Sequence, residues 1–137
     1  MEISKINFLF ILFFLAFCGP ICAAKSNNDD VKELSEVTVF SLGNNGFVGK
    51  MSRGEVLYNK IFHGADSELI FRKLLESDLS TPEAKIYALC GLVKKKVSKS
   101  SLIMYKNSEV NLSVLKGDVL RKFSYQEIYE NIIDNGC

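Results

Sequence analysis

The chain has 137 residues, 17 Lys and Arg against 16 Asp and Glu, and a formal net charge of +1. That balance excludes a general polyanion binder, which carries a strong basic excess, so no nucleic acid is expected as a partner. Hydrophobic residues make up 47% of the chain, but much of that figure comes from the first positions.

Phe8 to Phe17 is a run of ten residues without a polar group, preceded by Lys5 and followed by Gly19 and Pro20. A bilayer-spanning helix needs about 20 apolar residues and a secretory leader about 7 to 15. The segment therefore reads as a signal peptide over 1–24, with Cys22-Ala23-Ala24 supplying small residues before a cut after Ala24. An uncleaved anchor is the alternative, and it requires counting Ile6 through Ala24 as one span. Lipid attachment at Cys18 or Cys22 is disfavoured, because Phe17 and Ile21 are too bulky for the position preceding a lipidated cysteine. The expected product is a secreted or periplasmic chain of about 113 residues with no stable membrane span.

Residues 25–35 are polar and lack periodicity, which predicts a flexible N-terminal tail. Residues 36–137 have the length of one small globular domain. Val37 to Leu42 is rich in β-branched and aromatic residues and predicts a strand. Gly43-Asn44-Asn45-Gly46 is a tight-turn signal. A short hairpin returning through Phe47-Val48 or an irregular loop both fit.

Ser52-Arg53-Gly54-Glu55 matches a capping box and opens a helix with Val56, Leu57 and Ile61 on its apolar stripe and Tyr58 and Phe62 at the edges. His63-Gly64 ends it, with Gly64 suited to a left-handed cap. A second helix starts near Asp66 or Ser67 and aligns Ile70, Phe71, Leu74 and Leu75. A third has Thr81 as N-cap, Pro82 at its first position, and Ile86, Leu89, Cys90, Val93 and Val97 facing inward. Lys94, Lys95, Lys96 and Lys99 sit at its C-terminal end, where the dipole favours cations. The phrase Thr81 to Leu89 resembles one element of a HEAT-like unit. It occurs once, and a solenoid needs at least about three stacked copies, so no family is assigned.

Asn107 to Leu115 alternates, with Val110, Leu112 and Val114 on one side and Asn111 and Ser113 on the other, as in a half-buried strand. Lys116-Gly117-Asp118 predicts a turn and Val119 to Phe123 the returning strand. Ser124 to Glu127 repeats the capping box, and Tyr125, Ile128, Tyr129, Ile132 and Ile133 form a helical stripe that stops at Asn135-Gly136. The expectation is an α+β fold, predominantly helical, with about four short helices and one or two small β-hairpins.

Chemistry-bearing residues are sparse. Cys90 and Cys137 lie outside the leader. They are candidates for a disulfide in an oxidising compartment, for a buried thiol with a free terminal one, or for intermolecular pairing. His63 is the one histidine, and no close-spaced ligand pair suggests a metal. Glu68, Glu76, Asp78 and Glu83 read as a solvated helix surface. Asn111-Leu112-Ser113 fits an N-glycosylation acceptor. No residue pattern marks a catalytic, cofactor or metal site. The expected function is a non-enzymatic binding domain. Its candidate surfaces are the Asn45–Lys50 loop and the Lys94, Lys95, Lys96 and Lys99 cluster, and its partner would be a protein or cell-envelope component. The alternatives are a small extracytoplasmic hydrolase using His63 and a carboxylate with Ser52 or a cysteine, and a structural or assembly protein.

Overall fold

The computed structural model describes residues 28–43, 49–103 and 109–137. The expected leader and Asn45 lie outside them. The elements run α1 (Asn28–Ser35), α2 (Arg53–Phe62), α3 (Ser67–Glu76), α4 (Pro82–Lys94), α5 (Lys99–Leu102), β1 (Asn111–Lys116), β2 (Val119–Ser124) and α6 (Tyr125–Asn135). This is a predominantly helical α+β fold with one small antiparallel hairpin.

α4 is the axis. Thr81 caps it by accepting from the Ala84 amide at 3.2 Å, and Pro82 fills the first turn, where its missing N–H costs nothing. From Glu83 to Leu92 all its residues but Lys85 are buried. A helix apolar all round must be enclosed. Accordingly α1, α2, α3, α6 and β1 all pack against α4. Gly91 permits the closest of these approaches, because the Phe71 ring of α3 occupies the space a β-carbon would need.

Three sequence expectations fail here for tertiary reasons. From Asn28 onward the expected tail is the helix α1. It buries Leu34, pairs Asp30 with Lys60 at 2.6 Å and grips Arg53 through Glu33. Only Val31 and Leu34 make its apolar face, so the local pattern is too thin to announce a helix that forms by packing. The expected first strand is an extended segment with a single parallel bridge, Phe40 to Val114, and the turn expected after it lies outside the described residues. In α2, Leu57 and Ile61 are buried, but Val56 is exposed and Tyr58 is buried in its stead, which shifts the buried face toward Tyr58.

The extended segment 37–43 is laced to the helix starts. Thr81 Oγ1 donates to the Val37 carbonyl at 2.5 Å, and the Tyr87 hydroxyl both accepts from the Ser41 amide at 2.9 Å and donates to the Ser41 carbonyl at 2.7 Å. The capping box at Ser52 is half formed. Ser52 Oγ accepts from the Glu55 amide at 3.1 Å, but the Glu55 carboxylate accepts from Gly43 at 2.9 Å instead of turning back. At Ser124 no side-chain cap bond forms. Gly64 does not take positive φ, and helix α2 closes on His63.

The hairpin turns on two residues, with Gly117 at φ 62°, a conformation that side chains resist. The alternation expected in β1 breaks at Ser113, which is buried because the Glu83 carboxylate accepts its amide at 2.8 Å and Lys122 donates to its hydroxyl at 2.6 Å.

Tyr87→Phe should cost about 1–3 kcal/mol in urea unfolding, since it removes both buried hydrogen bonds between that hydroxyl and the Ser41 backbone. Alkaline titration should also unfold the chain. Burial, then the Glu55 charge, pushes the Tyr58 hydroxyl up to about 12, and burial raises Tyr87 and Tyr125 as well. These folded values exceed that of an unfolded tyrosine, about 10. Their contribution is therefore complete below about pH 10 and lost as pH climbs through the folded values. Tyrosinate absorbance and helical circular dichroism should change together there.

Candidate functional site

β2 runs directly into α6, so the sheet and the helix diverge from Ser124 and leave a cleft between them. Its volume is about 850 Å³, within the usual range for small-molecule sites. In the hairpin register Val114 faces Arg121 and Lys116 faces Val119, which puts Val114, Lys116, Val119, Arg121 and Phe123 on one wall. One turn of spacing on α6 brings Glu127 with Asn131, and Ile128 with Ile132, to the other wall. Phe40 and Leu42 close one side, and Gly136 and Cys137 one end. The cleft thus has an apolar lining with two cations, one carboxylate and one amide placed among it. Neither Lys116 nor Arg121 forms an ion pair among the described residues.

Cys137 reaches this place through its disulfide with Cys90, across a Cα–Cα distance of 5.7 Å. That distance is ordinary for such bonds. The bond anchors the end of the chain to the buried face of α4. Of the three cysteine readings open from sequence, the intramolecular disulfide is the one present.

The expected interaction residues fall on two separate segments of chain, and Asn45 lies outside the described residues. Lys50 is exposed. Helix α4 ends at Lys94, one residue into the lysine run, Lys96 turns the chain at φ 60°, and Lys99 starts α5. Two of these lysines have intramolecular roles. Lys94 Nζ lies 5.5 Å above the Tyr58 ring and Lys95 Nζ lies 4.7 Å above Phe62, close enough for cation–π attraction.

The hydrolase arrangement is not brought together. Ser52 and His63 cap opposite ends of α2, about 16 Å apart along the axis. Ser52 Oγ instead meets the Tyr87 hydroxyl at 3.2 Å, and His63 Nδ1 lies 2.7 Å from the Asn59 carbonyl. Of the four carboxylates read as a solvated surface, Glu83 is buried on Ser113, while Glu68 pairs with Arg72 at 2.9 Å. Among the described residues no group of His, Cys, Asp and Glu is arranged to hold a metal ion.

A second, shallower groove of about 400 Å³ runs between α1 and the start of α2. Arg53 crosses it to Glu33 with two bonds of 2.6 Å each, and that hydrogen bonding holds the Glu33 carboxyl below its ordinary range. Both side chains are exposed, so the pair adds little to stability.

No protein-family model, curated protein or solved structure matches this chain. Sequence reasoning missed Lys116, Arg121, Glu127 and Asn131. Their signal was present only as alternation in β2 and an i, i+4 pair on α6, and both patterns also describe an ordinary solvated surface.

Cys137→Ser opens a loop closed over a sequence separation of 47 and should cost about 4 kcal/mol by chain entropy. Denaturant unfolding with and without reductant checks this: reductant should destabilise the wild type to the level of the variant and leave the variant unchanged.

Proposed function

We propose that the protein is a secreted or periplasmic, non-enzymatic binding domain, whose cleft between the hairpin and α6 takes a ligand with an apolar body and an anionic end. The observation that carries this reading is the pair Lys116 and Arg121, set at the rim of an apolar cleft without ion-pair partners among the described residues. An anion there gains charge-assisted hydrogen bonds while its body displaces water from Phe40, Val114, Phe123 and Ile128. Glu127 opposite repels a second negative charge and so sets which end of the ligand lies toward the hairpin.

Export is supported by the apolar run Phe8 to Phe17 and by the Cys90–Cys137 disulfide, a bond that persists in oxidising compartments. Among the described residues no helix is long and apolar enough to cross a membrane.

The aromatic sulfonate anilinonaphthalene sulfonate has the required chemistry, an apolar body with a fixed anion. Its fluorescence should rise on mixing with the native protein, and a long-chain fatty acid should displace it. Arg121→Glu should weaken both by about tenfold or more, the loss of one charge-assisted contact. Unchanged affinity in that variant would reject the cleft as the site.

A further inference from the structure

The hairpin is paired on one side only, and the register states which groups that leaves. Lys116 and Val119 flank the two-residue turn, so they exchange both of their hydrogen bonds, and bonded pairs recur at every second residue. Val119, Arg121 and Phe123 therefore direct their backbone groups at β1. Leu120 and Lys122 direct theirs away from it. The outer side of β1 confirms this parity. Its outward groups are those of Asn111, Ser113 and Leu115, and three of them are occupied at the middle of the strand: Phe40 donates to the Ser113 carbonyl at 2.8 Å and accepts from Leu115 at 2.9 Å, while Glu83 takes the Ser113 amide.

The outer side of β2 has no such cover. The sheet has two strands, and no backbone bond from Leu120 or Lys122 leads outside it among the described residues. Val119 and Leu120 are 50% and 57% exposed. This is an open strand edge with apolar side chains, the arrangement that accepts an added strand.

Charge decides the occupant. Arg121 and Lys122 sit side by side at the middle of β2. A second copy of the chain would have to pair β2 antiparallel with itself. Each symmetric register that keeps five or six of the strand's six residues paired sets Arg121 against Lys122, or one of them against its own copy. Like charges directly opposite are destabilising. The same two cations, with Lys116 on the neighbouring strand, favour an acidic strand. Asp118 in the turn is the one carboxylate of the hairpin segment 111–124.

We propose that the outer edge of β2 binds an extended acidic segment of a partner protein as a third strand, through the backbone groups of Leu120 and Lys122. The backbone groups of this edge lie outside the cleft, whose lining takes Val119, Arg121 and Phe123 but neither Leu120 nor Lys122, while the charges of Lys116 and Arg121 bear on both surfaces.

The test uses the full chain purified after expression, and two short end-blocked peptides, one alternating glutamate with valine and one alternating lysine with valine. Amide hydrogen exchange is followed residue by residue. The acidic peptide should slow exchange at Leu120 and Lys122, and the basic peptide should not. Leu120→Pro removes an outward N–H that serves no ladder bond, a substitution that edge strands tolerate. It should abolish peptide binding and leave the anilinonaphthalene sulfonate signal intact. Lys122→Glu, a second route should the proline variant misfold, should weaken the acidic peptide about tenfold or more. Equal protection by both peptides, or peptide affinity unchanged in Lys122→Glu, would overturn the proposal. So would protection that appears without peptide and grows with protein concentration, which would make the occupant a second copy.

Discussion

The enclosure of α4 on all sides is the constraint on which the rest of the structure depends. A helix with one apolar stripe needs one partner. This one carries Ala84, Ile86, Tyr87, Ala88, Leu89, Cys90 and Leu92 around its circumference, and exposing any side of it would forfeit about 25 cal/mol for each Å² of apolar surface left in water. Four helices, a strand and an extended segment are recruited to cover it. Close packing explains the two small residues in its neighbourhood: Gly91 yields space to Phe71, and Gly54 of α2 lies where a β-carbon would come within 2.8 Å of the Tyr87 ring.

Covering a helix with non-regular chain raises a second problem, the backbone groups that such chain leaves unpaired. The segment 37–43 answers it with side chains from the helix starts. Thr81, Glu55 and Tyr87 each bond its backbone, and Glu83 does the same for β1. Two carboxylates are thereby buried in first turns, where the helix dipole favours negative charge. The N-caps Ser52 and Thr81 are used twice over: each accepts an amide of its own helix and donates to a carbonyl of the extended segment. The aromatic chain from Phe40 through Tyr87 and Tyr58 to Phe71, with centroids 4.8 to 5.8 Å apart, ties the same segment into the core.

The hairpin concentrates what the fold leaves unspent. One side of β1 is consumed by Phe40 and Glu83, which fixes the sheet to the helical body. β2 stays at the periphery, joined to α6 with no connecting loop, and the splay between them makes the cleft. The disulfide then holds the far end of that cleft, so its wall is fixed at Ser124 by chain continuity and at Cys137 by a covalent bond to the core. A helix tied at both ends has little freedom left to lose, which favours the binding proposed for this cleft.

Periodicity and end signals in the sequence determined the elements that announce themselves locally. Thr81-Pro82 placed the start of α4, Phe71, Leu74 and Leu75 the inner face of α3, Gly117 the hairpin turn, and the stripe from Tyr125 to Ile133 the helix α6. These are short-range effects, complete within a few residues. The sequence also narrowed Cys90 and Cys137 to three states: bonded to each other, unpaired, or bonded between chains. What tertiary structure decided is everything that needs a partner distant in the chain. α1 is a helix because Leu34, Asp30 and Glu33 find α2. Residues 37–43 run extended because Tyr87 and β1 bond their backbone. Glu83 leaves the solvated surface for the core because Ser113 needs an acceptor. The cleft belongs to the same class. Lys116, Arg121, Glu127 and Asn131 become one site only through a strand register and a helix rotation, and neither is written in any single stretch of sequence.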